Sequence, residues 1–264
     1  FEIRQGVHYA RNTSAKLALG EILYFTDDDM IADHKLLDEI YKSFLFDPRV
    51  GCVTGSVIPI WEKPVPRWIL KNFNNQYLSL LKLDEEFIVS KSLKFVYSCN
   101  QAIKRDVFFK AEGFNPEYTF GKYKGDGETG LNIKIQKLNY LFVYNNKCLT
   151  KHIIPKYRYS VKYFSNRFAN NAIANNYTRI RLNKTNRIKS SFFYLTGYHI
   201  LYSFYQMFKF LYRIFKNKSL VSIKVFHVYF VYLFVGLKYI IRFFLSKTER
   251  DYVYKNDWLT NDNI

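Results

Sequence analysis

Cysteine is scarce in this chain, and acidic residues are outnumbered. The three cysteines, Cys52, Cys99 and Cys148, are odd in number, far apart, and form no Cys-x-x-Cys pair. That excludes a disulfide framework and a zinc ribbon and reads as reduced, structural cysteine in a cytosolic setting. In such a setting the Asn-x-Ser/Thr triplets at Asn12, Asn176 and Asn183 carry no glycan signal. Aspartate and glutamate number 22 against 40 lysines and arginines, for a formal charge of +18. The shortage of acid is local. Between Arg179 and Arg250, fourteen basic residues accompany one acid, Glu249, so that segment holds thirteen of the eighteen net charges. An anionic partner follows: nucleotide phosphates, nucleic acid or a lipid surface. No internal repeat and no low-complexity linker is present. The opening "FEIRQGVHYARN" has neither an apolar h-region nor an initiator Met, so it is no signal peptide, and a fragment of a longer chain is expected.

What is abundant is apolar and aromatic. Hydrophobic residues make up 48% and aromatics 19%, which excludes global disorder. The length, 264 residues, suits one full domain with an appendage or two small domains. Residues 13–19 are expected as a short helix capped by Asn12 and stopped at Gly20. "EILYF" follows as a buried strand. A helix capped by Asp33 and stopped at Asp47-Pro48 comes next, then the strand "VGCVTGSVIPI". Pro59, Pro64 and Pro66 break the following stretch into a loop with Trp61 and Trp68, and a helix is expected over 67–82. "FVYSCNQAIKRDVFFKAEGF" reads as strand, turn and helix to Gly113. "GDGETG" leads into another helix, and "LFVYNNKCLTKHII" is a final strand region. The alternation of strands and helices up to about residue 154 predicts an α/β domain.

The chemistry is concentrated at "YFTDDDM", where an apolar strand runs into Asp27, Asp28 and Asp29. In an extended segment, residues two apart point the same way, so Asp27 and Asp29 would share one site. Two such carboxylates suit Mg²⁺ or Mn²⁺, which keep waters and accept substrate phosphates. The plainer reading is an acidic turn that starts a helix. Asp126 and Glu128 in "GDGETG" and His152 in "TKHIIP" supply further groups from other loops, enough for one metal-assisted transfer site. Trp61 and Trp68 either stack on a sugar or pack internally. His8, His34, His199 and His227 have no ligand-like neighbours in sequence and read as ordinary surface or packed histidines.

"ARNTSAKLALGEILYFTDDDM", "SCNQAIKRDVFFKAEGFNPEY" and "GDGETGLNIKI", in that order, resemble a family 2 glycosyltransferase over residues 10–155. The resemblance implies a GT-A-like (Rossmann-like, nucleotide-diphospho-sugar transferase) mixed sheet flanked by helices. It implies donor contacts from Arg11, Asn12, Asp27, Asp28 and Asn100. It also implies a divalent cation, Mn²⁺ or Mg²⁺, at Asp27, Asp29 and His152, and a general base at Asp126. A single base without a second nucleophile implies inversion by single displacement. Family members carry Glu-Asp at the base. Here Gly125 precedes Asp126, so Glu128 is the second catalytic candidate. Family members also begin with strands ending in Pro-x-(Tyr/Phe)-Asn and Asp-Asp-Gly-Ser, which hold the base of the nucleotide. Neither occurs here, which adds to the expectation of an N-terminally truncated domain.

The expected organisation is a catalytic domain over 1–160, a basic aromatic helical region over 161–250, and a tail over 251–264. "SFFYLTGYHILYSFYQMF" and "VFHVYFVYLFVGL" contain no charge, are rich in Tyr and Phe, and have basic flanks on every side. Spanning helices would break the positive-inside tendency, whereas helices lying flat on an anionic cytoplasmic leaflet keep all flanks on one side. Helices packed as in a soluble protein are the alternative. The expected partners are a nucleotide-sugar donor, a polysaccharide or lipid-linked glycan acceptor and an anionic membrane surface on the cytoplasmic side, with no nucleic acid. A metal-dependent nucleotidyltransferase would want a Gly-rich phosphate loop, which is not visible. A non-catalytic membrane- or RNA-binding module would leave Asp27, Asp29, Asp126 and His152 unexplained.

Overall fold

In the computed structural model, residues 1–73, 75–93, 96–115, 127–182, 188–217 and 220–254 are described. The strands are β1 (Ile22–Thr26), β2 (Met30–Ala32), β3 (Val50–Trp61), β4 (Phe87–Ser90), β5 (Asn100–Lys104) and β6 (Leu141–Ile154). The helices of the sheet region are α1 (Val7–Leu17), α2 (Leu36–Leu45), α3 (Arg67–Asn72), α4 (Arg105–Lys110) and α5 (Gly127–Lys137). Then come α6 (Val161–Leu182), α7 (Ile188–Asn217), α8 (Leu220–Leu245) and α9 (Lys247–Tyr254).

The strands form one sheet in the order β1-β5-β3-β6-β2, with β4 also paired to β6. β3 and β6 run parallel and every other pairing is antiparallel, so the sheet is mixed. Strand periodicity sorts the side chains. Leu23 and Phe25 of β1 join a core with α1, α4 and α5, in which Val107, Phe108, Leu131 and Ile135 are buried. Ile22 and Tyr24 face the opposite layer, where Leu36, Ile40 and Phe44 of α2 lie at helical spacing against Val53 and Val143. Each such side chain contributes roughly 1.5–3 kcal/mol by leaving water. The mixed α/β sheet with flanking helices agrees with the sequence expectation.

The β3–β6 ladder is irregular between Gly55 and Val57, where β6 advances from Asn145 to Thr150. Gly55 passes so close to the carbonyls of Cys148 and Asn145 that a Cβ there would overlap them. At this break the Asn100 side chain substitutes for the ladder. Its Nδ2 donates to the carbonyls of Cys148 (2.9 Å) and Ser56 (3.3 Å), and its Oδ1 accepts from the Tyr24 hydroxyl (3.1 Å).

Several elements differ from the expectation. α1 begins at Val7 after Gly6 and not at residue 13, so Asn12 is inside the helix and does not cap it. The Asn12 amide is instead spent on both backbone groups of Phe114. Asp33 does not cap α2 directly; its carboxylate accepts the Lys35 N–H, one turn ahead of the helix. The helix expected over 67–82 stops at Asn72. Phe73 turns to an extended conformation and stacks on Phe164 of α6 at 4.2 Å, and only a 3₁₀ turn, Asn75–Leu78, follows. Tertiary aromatic packing thus overrides local helical periodicity here.

The C-terminal helices pack on the sheet region. One continuous core joins Val57, Tyr144 and Ile154 to Phe164 and Phe168 of α6 and to Val225 and Tyr229 of α8. α7 and α8 run antiparallel, with His199 against Tyr232 and Phe210 against Tyr229. Gly236 of α8 makes this approach possible, since a Cβ at that position would overlap the His199 ring. Among the described residues one helix, over Val221–Leu245, is long and apolar enough to cross a membrane; 44% of its most apolar window is buried, and it packs against α6 and α7.

Candidate active site

β1 ends at Thr26, and the chain turns through Asp27, Asp28 and Asp29 before β2. The register of β2 on β6 sets Met30 opposite His152, and the Ile153 N–H donates to the Asp29 carbonyl at 2.9 Å. This carries Asp29 to the end of β6. Asp27 and Asp29 both line one cleft, although the segment is a turn and not extended chain, and their partners differ. Asp27 forms an ion pair with Arg11 of α1. Asp29 instead meets His152 and Arg158, and Asp28 is exposed. All three aspartates, Arg11 and Arg158 line one cleft of about 700 Å³ between α1 and β1.

Two polar clusters therefore meet this cleft. In the first, the Glu128 carboxylate accepts the Ser98 N–H (2.9 Å) and hydroxyl (2.5 Å). The same hydroxyl accepts from Arg11 Nη1 at 2.6 Å, and the other guanidinium nitrogen of Arg11 pairs with Asp27. Glu128, Ser98, Arg11 and Asp27 form an unbroken chain from the first turn of α5 to the tip of β1. In the second cluster, Arg158 Nη2 donates to Asp29 Oδ2 at 3.0 Å, and Nη1 donates to His152 Nε2 at 2.8 Å. Burial holds the His152 imidazole below its usual range; the Asp29 carboxylate opposes that shift and Arg158 adds to it. A guanidinium only donates, so Nε2 is the acceptor in its contact with Arg158.

Asn12 and Asn100, expected at the donor, are buried, and their amides are engaged by backbone and by the Tyr24 hydroxyl. Asp126 lies outside the described residues. Trp61 packs edge-on against Tyr159, and Trp68 against Phe73 and Phe164. Sequence reasoning missed Ser98 and Arg158. Ser98 is the small residue before Cys99-Asn100. Arg158 follows Pro155 in a 3₁₀ turn, Lys156–Tyr159, and a basic residue just past the strand carrying His152 was its only signal.

Among the described residues, no three His, Cys, Asp or Glu side chains lie close enough together to hold a metal ion by themselves. Asp29 and His152 nevertheless fit part of a shell for a hard divalent cation, which takes one or two protein ligands and fills the rest with water and phosphate. Their donor atoms are 3.3 Å apart and already converge on a positive group, the Arg158 guanidinium. Asp27, expected as a third ligand, is paired with Arg11.

Residues 1–110 match the profile of "Glycosyl transferase family 2". A curated relative from Haloferax volcanii, glucosyl-dolichyl phosphate glucuronosyltransferase, is 25% identical over 162 residues, covering 58% of this chain. The chain spans about half the length of that relative. Among solved structures, "Crystal Structure of a Mycobacterial Protein" aligns at TM-score 0.40 and 17% identity, over 66% of this chain and 51% of the other. "Crystal structure of GalNAc-T7 with UDP, GalNAc and Mn2+" aligns at TM-score 0.43 and 17% identity, over 75% and 38%.

Proposed function

We propose that the protein, whose residues 1–110 match the glycosyl transferase family 2 profile, is an inverting glycosyltransferase that moves a sugar from a nucleotide-sugar to a polysaccharide or lipid-linked glycan. The observation that supports this reading is the cleft at the tip of β1, where Asp27, Asp28 and Asp29 meet two arginines from distant segments, Arg11 and Arg158. Arg11, held by Asp27 and Ser98, offers a guanidinium fork suited to a phosphate of the donor. Asp29 and His152 are the residues that would hold a divalent cation. When bound there, such a cation neutralises negative charge on the departing nucleoside diphosphate. Asp126 takes the proton from the acceptor hydroxyl as its oxygen bonds to the anomeric carbon. The bond from that carbon to the diphosphate oxygen breaks on the opposite face, which inverts the centre. Glu128 holds Ser98 and, through it, Arg11.

The acceptor is proposed to be membrane-bound. The relative's name specifies a dolichyl phosphate-linked acceptor. In this chain, Leu201, Phe204, Tyr205, Phe208, Tyr212 and Phe215 form an outward stripe along α7, with Lys209, Arg213 and Lys216 among them. α8 carries a second stripe that includes Phe230, Phe234 and Ile241. Exposed apolar faces with basic neighbours suit the interface of an anionic leaflet, where ring and stem are buried and charge stays at the headgroups.

The test is transfer over a panel of nucleotide-sugars with Mn²⁺ or Mg²⁺. Asp29→Ala and Asp126→Asn should each lower turnover by at least ~10²-fold. Full activity in either variant removes that residue from the mechanism, and no transfer from any donor removes the reading.

A further inference from the structure

The Asp29–His152 contact poses an electrostatic problem. Nε2 of His152 accepts an N–H from Arg158, so its one lone pair points toward the guanidinium. Asp29 Oδ2 lies 3.3 Å from that nitrogen and also offers only lone pairs. Two acceptors this close repel unless a positive group lies between them. Arg158 is that group, at 2.8 Å and 3.0 Å.

Arg158 is built into this position. It sits in the 3₁₀ turn that follows Pro155, with the rings of Tyr157 and Tyr163 each 5.9 Å from its guanidinium carbon. Its side chain keeps 19% of its surface exposed, and it lines the same cleft as the three aspartates. An imidazole nitrogen has one lone pair, so a metal ion and Arg158 exclude each other at His152.

We propose that Arg158 is a resident counter-cation, which occupies the Asp29–His152 pair in the donor-free protein and competes with a divalent metal ion for it. Once displaced, its fork pairs with the diphosphate of the donor in the same cleft. Metal alone then binds weakly, because it must separate the guanidinium from Asp29, its one carboxylate partner among the described residues, whereas metal with diphosphate binds well. The inference rests on the transferase reading for the identity of the diphosphate, but the competition at the pair does not.

The experiment is a titration of the full chain with Mn²⁺ alone, followed by electron paramagnetic resonance or calorimetry. Arg158→Gln should bind Mn²⁺ at least about tenfold more tightly than the parent, the effect of removing one competing charge–charge contact. Arg158→Lys, which keeps a cation, should stay closer to the parent. A second measurement avoids substitution altogether. Mn²⁺ should speed modification of Arg158 by phenylglyoxal in the parent, mapped by mass spectrometry, because the guanidinium is released. Equal or weaker Mn²⁺ binding by Arg158→Gln, or a modification rate indifferent to Mn²⁺, overturns the proposal. Sugar transfer without the gain in Mn²⁺ affinity removes the competition and leaves the transferase. The gain without any transfer does the reverse.

Discussion

Asn100→Ala separates a scaffold role from a donor-binding role at one residue. Asn100 is 1% exposed, and its Nδ2 serves two buried carbonyls, Cys148 and Ser56, at the break in the β3–β6 ladder. Alanine leaves both carbonyls short of a donor, at about 1 kcal/mol each for groups of this kind. The vacated volume adds roughly 1 kcal/mol of lost packing. The Tyr24 hydroxyl also loses its acceptor, but Tyr24 lines the cleft and finds water there. The sum, about 3 kcal/mol, corresponds to a melting temperature lower by roughly 6–12 °C for a domain of this size. Asn100→Asp is nearly isosteric, yet it should cost more, because a charged oxygen then faces two carbonyl oxygens. Urea and thermal unfolding followed by circular dichroism measure both variants. Donor KM, taken well below the melting temperature, should remain within about twofold of the parent, less than the loss of one donor hydrogen bond would cause. An unchanged melting temperature with a strongly raised KM would show that the side chain serves the nucleotide and would refute the argument.

Other consequences are as direct. Gly236→Ala should destabilise the α7–α8 contact by about 1–3 kcal/mol, since the His199 ring must move and loses its bonds to the Tyr232 and Leu233 carbonyls; chemical denaturation reads it. The cysteines should be silent to Ellman's reagent in the native protein at pH 8 and react in guanidinium, because all three are buried and burial pushes the Cys52 and Cys148 thiols up to about 12. Ser98→Ala should lower kcat/KM while leaving the fold intact, since it removes the link between Glu128 and Arg11; unchanged kinetics would show that the chain of contacts is idle. Phe204→Asp with Phe208→Asp should abolish sedimentation with phosphatidylserine vesicles, and salt should weaken the parent's binding.

The readability of the chain followed the physics of each element. β3 and β6 are long and apolar, so the hydrophobic pattern alone marks them. β2 and β4 are three and four residues long and exist because β6 offers them an edge, so nothing local announces them. The helix over 67–82 was misread because its periodicity is real, but Phe73 gains more by stacking on Phe164 than by continuing the turn. At the site, Asp29 and His152 were legible as partners through the family resemblance. Their different partners, Arg11 for Asp27 and Arg158 with His152 for Asp29, were not, since a two-residue repeat assumes extended chain and these residues turn. Arg158 was invisible because its importance arises from where a 3₁₀ turn sets it, not from any spacing along the sequence.

The route from β6 into α6 is short. His152 is in the strand, Arg158 is six residues on, and α6 begins at Val161, within a core that continues into α8. On the proposed membrane reading, with α7 and α8 on lipid, the cleft would stand at a set height above the headgroups, and the molecule would act as a ruler. An acceptor would then be chosen by how far its hydroxyl projects from the bilayer as much as by its sugar.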